Sequence, residues 1–110
     1  MRIAIISDIH GNLEALKATL KDIEKRKVDK NICLGEIIAK GVHPKECLSL
    51  IRKNCEIVLQ GNCDVHFSTE HKNINEMSKQ EQKRIKWNQS LIDREDREYL
   101  LKLPLKLRKY

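Results

Sequence analysis

The sequence predicts an α/β fold, a parallel-sheet βαβαβ core followed by helices, and three observations carry that prediction. Short apolar, β-branched runs at 2–6, 31–34 and 57–59 alternate with segments whose apolar residues fall at helical spacing. The order strand, helix, strand, helix, strand calls for a parallel sheet with right-handed crossovers. Each run also stops at a glycine beside a polar side chain that could act as a ligand.

The first run (Ile3, Ala4, Ile5, Ile6) reads as a buried strand that ends at Ser7-Asp8-Ile9-His10-Gly11-Asn12. Asp8 and His10 sit two apart, so in a chain still extended their side chains share one side. A carboxylate oxygen and an imidazole nitrogen aimed at one point suit a divalent metal of intermediate hardness. Taken alone, the pair reads more simply as a polar strand end before a helix cap. Asn12 can cap the helix that follows, in which Leu13, Leu16, Leu20 and Ile23 form the apolar face. Lys25-Arg26-Lys27 suits the carboxyl end of that helix, where the dipole favours cations; a phosphate-binding patch is the competing reading.

The second run ends at Gly35-Glu36, and a loop over 37–43 leads to Pro44, well placed in the first turn of a helix. Cys47, Leu48, Ile51 and Cys55 form its buried stripe. The third run ends at Gly61-Asn62-Cys63-Asp64. Ligand sites in open α/β sheets form beyond the carboxyl ends of the strands. Three polar clusters converging there favour a functional site over three unrelated caps.

The remainder carries less chemistry. Residues 67–75 read as irregular, and 77–92 as a charged helix anchored by Met77, Ile85, Trp87 and Leu91. Lys79, Lys83, Arg84 and Lys86 read as its solvated face. Asp93 caps a last helix with Tyr99, Leu100 and Leu103 facing inward, stopped by Pro104. Leu103, Leu105 and Leu107 then alternate as a short strand or extended tail. His43 is expected to cap the helix before Pro44, and His66 and His71 to be exposed loop residues.

Composition sets the outer limits. With 110 residues, 40% hydrophobic and 35% charged, the chain is expected to form one domain. The net charge of +6 raises nucleic acid as a partner, but acids are interleaved with the bases and aromatics are only 4%, so that partner is unsupported. Cys33, Cys47, Cys55 and Cys63 form no Cys-x-x-Cys pair, which points to reduced thiols and a cytoplasmic location. No apolar run is long enough for a signal peptide or a membrane span.

The ordered set Asp8-x-His10-Gly11-Asn12, Leu34-Gly35-Glu36 and Gly61-Asn62-Cys63-Asp64 resembles the calcineurin-like metallophosphoesterase family, in its small prokaryotic phosphodiesterase-like branch. The segment 41–47 and the stretch from Asp96 to Leu105 are similar to that branch as well. The resemblance implies an α/β sandwich of two sheets, a pair of divalent metals (manganese, iron or zinc) and hydrolysis of phosphate mono- or diesters. It implies Asp8, His10, Glu36 and Asn62 as metal ligands. It implies Asn62, Cys63 and Asp64 as the catalytic group, with Cys63 beside the leaving group and Asp64 orienting it or positioning the loop. Glu36 stands where the family has a bridging aspartate. Histidine motifs that complete both metal spheres in the family have no counterpart among the 110 residues, so the expectation is a domain over 1–110 truncated relative to the family, with one tight metal and impaired hydrolysis. The alternative is a noncatalytic metal- or partner-binding remnant of the fold. The apolar sheet faces around Ile3, Ile5, Ile32, Leu34, Ile57 and Leu59 are expected to be incompletely covered, which predicts a homo-oligomer.

Overall fold

A computed structural model describes residues 1–106; the expectation for Leu107 lies outside the described residues. The element order is β1 (Ile3–Ile6), α1 (Leu13–Lys25), β2 (Lys30–Cys33), α2 (Pro44–Asn54), β3 (Ile57–Val58), α3 (Asn62–His66), α4 (Lys79–Ser90) and α5 (Arg94–Leu101). A single 3-10 turn at Ile74–Glu76 interrupts the irregular stretch before α4. The three strands form one parallel sheet in the order β1-β2-β3, with Ile5 opposite Ile32 and Cys33 opposite Val58.

The caps explain where the helices begin. Asn12 accepts the Ala15 N–H and starts α1. Pro44 opens α2, where its missing N–H is harmless. Asp93 and Asp96 form a reciprocal capping box on α5. His43 precedes α2 but offers no capping bond; its Nδ1 pairs instead with Glu46 Oε2 at 2.8 Å. The segment after β3, read from sequence as a strand-end loop, is the short helix α3.

Leu16, Cys33, Ile37, Ile38, Cys47, Leu48, Ile51, Phe67, Ile85 and Leu100 form the core. α5 closes it from the far end: Gln60 Nε2 donates to the Leu100 and Leu101 carbonyls, and the Arg52 guanidinium lies 4.1 Å from the centre of the Tyr99 ring. One expectation needs correction here. Trp87 is 44% exposed, because Asn88 and Ile85 take the inward positions of α4. Of the two readings of the leucine alternation, the strand is not found among the described residues: Leu105 is 76% exposed and belongs to no strand.

β1 is not the buried strand its composition suggested. It lies at the sheet edge, with Ile3 43% and Ile5 63% exposed, and Leu34 beyond β2 is 46% exposed. Ile32, by contrast, is buried, and Ile57 is half-buried. The helices therefore cover one face well, while the other is open chiefly at β1.

Candidate metal and phosphoester site

The polar clusters gather beyond the carboxyl ends of the strands, on a frame of backbone hydrogen bonds between two loops. Asp8 N–H donates to Gly35 O, His10 N–H to Glu36 O and Gly11 N–H to Ile37 O; Gly41 N–H and His43 N–H return to His10 O and Gly11 O. The loops touch so closely that a β-carbon on Gly41 would sit 2.5 Å from the Gly11 carbonyl carbon and oxygen. Gly41 is therefore required by close approach rather than by its own backbone angles.

Asp8 and His10 do converge, but not by strand alternation. β1 ends at Ile6, and both residues lie in left-handed backbone, at φ 57° and 49°. Glu36 does the same at φ 56°. Each such non-glycine residue costs about 1–2 kcal/mol, and strain of this kind clusters at binding sites. His10 Nε2 lies 3.4 Å from Asp8 Oδ1, while Ser7 donates its hydroxyl to Asp8 Oδ2 at 2.7 Å. His10 Nδ1 is 3.3 Å from the Ile38 carbonyl. With the proton on Nδ1, donated to Ile38, Nε2 and Asp8 Oδ1 present two lone pairs to one space. That is a fitting pair of donors for a divalent metal, with the imidazole oriented from behind.

Glu36 is placed differently. Its carboxylate accepts the Cys63 backbone N–H, at 3.0 Å to Oε2 and 3.3 Å to Oε1. Among the described residues no three His, Cys, Asp or Glu side chains gather closely enough to hold a metal. The structure thus brings Asp8 and His10 together and holds Glu36 against α3. Asn62, the first residue of α3, is exposed.

Asp64 is fully buried and accepts the Ile37 and Ile38 N–H groups, both at 2.9 Å to Oδ1. Burial pushes its carboxyl up to about 6, against the two amides that pull it back. Its side chain ties α3 to the loop after β2. Gly61 lies between the two acids: a β-carbon there would come within 2.8 Å of Glu36 Oε1 and 2.9 Å of Asp64 Oδ2. Burial, and then the hydrogen bond to Glu36, pushes the Cys63 thiol up to about 11, so it stays protonated at neutral pH.

Sequence reasoning missed two features. His66 and His71 are not exposed loop residues: His66 closes α3, is half-buried and meets Glu81 Oε1 through Nε2 at 2.8 Å, while His71 Nε2 lies 2.7 Å from the His66 carbonyl. The i, i+3 pair Glu81–Arg84 on α4 was a weak signal for that contact, because it marks where the helix carries its acid. Lys40, treated as a loop residue, lines the same groove as Asp8 and His10.

Three parallel strands with helices, and an acid and an imidazole paired beyond the strand ends, make an α/β fold that matches part of a metallophosphoesterase structure. The calcineurin-like phosphoesterase family matches residues 1–108, and the chain belongs to that family. An uncharacterized protein of Methanocaldococcus jannaschii is 42% identical over 104 residues, covering 94% of this chain and 42% of that protein. The crystal structure of a metallophosphoesterase from Sphaerobacter thermophilus superposes with a TM-score of 0.81 at 34% identity, covering 99% of this chain and 43% of the other. The chain therefore spans about two fifths of the length of the relatives it matches.

Proposed function

We propose that the chain carries part of a metal-dependent phosphoesterase site, acting on phosphate mono- or diesters. The observation that carries this reading is the Asp8–His10 pair, its imidazole oriented by Ile38 and its backbone held left-handed by the loop pairing. Asp8 and His10 would hold one divalent ion, of manganese, iron or zinc, with Asn62 and Glu36 as further candidate ligands. When bound, that ion polarises the phosphoryl group and lowers the pKa of water. Cys63 keeps a proton on Sγ that it can share with a leaving oxygen. Asp64 holds the Glu36–Ile38 turn in place, and Glu36 fixes the start of α3.

The second reading is a noncatalytic metal- or partner-binding remnant, favoured by the engagement of Glu36 with Cys63 rather than with a metal-ligand cluster. Turnover separates the two. Hydrolysis of bis(p-nitrophenyl) phosphate that needs added manganese or zinc and disappears in Asp8→Ala supports the first; metal binding without turnover supports the second. We further propose self-association through the open edge of β1. The four free thiols, all raised by burial, fit a reducing cytoplasm. Among the described residues no helix is long and apolar enough to cross a membrane.

A further inference from the structure

A separate cavity of about 190 Å³ lies between the turn that follows α3 and helix α5, lined by Ser68, Glu70, Arg94, Arg97, Glu98 and Leu101. None of these residues lines the groove at Asp8 and His10. Sites for small organic molecules begin at roughly 300 Å³, and one water takes roughly 30 Å³. The cavity falls between the two, which suits an ion of a few heavy atoms.

Two of the lining residues keep a buried donor without a hydrogen-bond partner among the described residues: Ser68 its hydroxyl and Arg97 its Nε–H. Ser68 is only 3% exposed, and its backbone is fixed on both sides. Its N–H donates to Val65 O, and the Thr69 carbonyl accepts from Gln89 Nε2 of α4 at 3.0 Å. Arg97 is half-buried and is carried on the first turn of α5, its N–H donating to Asp93 O. A buried donor without a partner is costly, and two in one cavity call for an acceptor that meets both. The charges agree. Arg94 is already paired with Glu98 at 3.2 Å, whereas Arg97 and the exposed Glu70 belong to no ion pair among the described residues. Arg97 is thus the cation left to a ligand, and Glu70 is the carboxylate that opposes an anion from the rim.

We infer that this cavity binds a small free oxyanion of the inorganic phosphate type, received by the Arg97 guanidinium and the Ser68 hydroxyl. A guanidinium is weakly hydrated and its planar fork of donors matches phosphate oxygens, which suits a half-buried position. The two donors come from different segments, and a tetrahedral ion presents oxygens to both at once. The site uses no metal and does not depend on the phosphoesterase reading. Its occupant ties the turn after α3 to α5.

Calorimetry of the intact chain with inorganic phosphate, in EDTA so that no metal contributes, tests this. Ser68→Ala and Arg97→Lys should each weaken phosphate about tenfold, the loss of one hydrogen bond to a charged group. Glu70→Gln should tighten it severalfold, and Asp8→Ala should leave it unchanged. Thermal melting supplies a readout that poor folding does not imitate. Without phosphate, Ser68→Ala should melt no lower than the unmodified chain, because it removes a hydroxyl that has no partner. With phosphate the order should reverse, because the unmodified chain gains more from the ligand. Absent binding, or an affinity that either Ser68→Ala or Arg97→Lys leaves unchanged, overturns the inference. A Ser68→Ala chain that already melts lower in the absence of phosphate overturns it as well, since the hydroxyl would then have its partner within the fold.

Discussion

The Glu36 carboxylate and the Cys63 backbone N–H meet at 3.0 Å, which ties the end of β2 to the first turn of α3. Glu36→Asp shortens the reach by one methylene and should break this bond, at about 0.5–1.5 kcal/mol. It also moves an oxygen to where the resemblance implies a metal-bridging aspartate. The expected outcome is a lower denaturation midpoint together with faster metal-dependent hydrolysis. A variant that loses stability and gains no turnover counts against Glu36 as a displaced ligand.

Asp64 satisfies two buried N–H groups, those of Ile37 and Ile38. Asp64→Ala leaves both without a partner, and each unpaired buried donor costs about 1–3 kcal/mol. Asp64→Asn keeps an acceptor oxygen and should retain most of the stability. Urea unfolding of the two variants checks the ranking; negligible losses in both would mean that the Asp64 side chain is not what holds this turn.

The contact between α2 and α5 is expected to be acid-labile. The Lys45 ammonium, followed by the Asp96 backbone N–H, holds the Asp93 carboxyl down at about 2, from an ordinary value of 3.8. A depressed carboxylate contributes stability above its unfolded pKa and loses it as pH falls toward the folded one. The loss therefore falls between about pH 4 and about pH 2. Lys45→Met should flatten the stability profile across that window. Parallel profiles for the two proteins, followed by urea titration at stepped pH, would show that this exposed pair contributes nothing measurable.

Self-association should depend on β1. Ile3 and Ile5 expose their side chains on an edge strand, and such edges pair readily with other chains. Sedimentation equilibrium at micromolar concentration is expected to show dimers or larger species, and Ile5→Lys should shift the population to monomer. A monomeric unmodified chain with a cooperative melt would refute the association.

The βαβαβ core was legible because its signals are local. Asn12, Pro44 and Asp93 announce helix starts by chemistry that needs no tertiary partner, and the apolar runs stop at glycines. The burial of β1 was not legible: an apolar run reads the same at a sheet edge as in its middle, and only the order β1-β2-β3 decides. The site was half legible. Residue types picked out Asp8 and His10, but their convergence depends on left-handed backbone that spacing rules treat as extended strand. The fixing of Glu36 by Cys63, and of His66 by Glu81, links segments 27 and 15 residues apart, beyond what any periodicity encodes.

The contact between Gly11 and Gly41 also bears on how a substrate arrives. With five backbone hydrogen bonds joining the two loops and no room for even a methyl group between them, the loop that carries Lys40 cannot swing away as a lid while the loop that carries Asp8 and His10 stays still. The two move as one rigid jaw. Any ligand taken at this groove would meet a surface already formed, with the cost of ordering met when the chain folds rather than when a ligand binds.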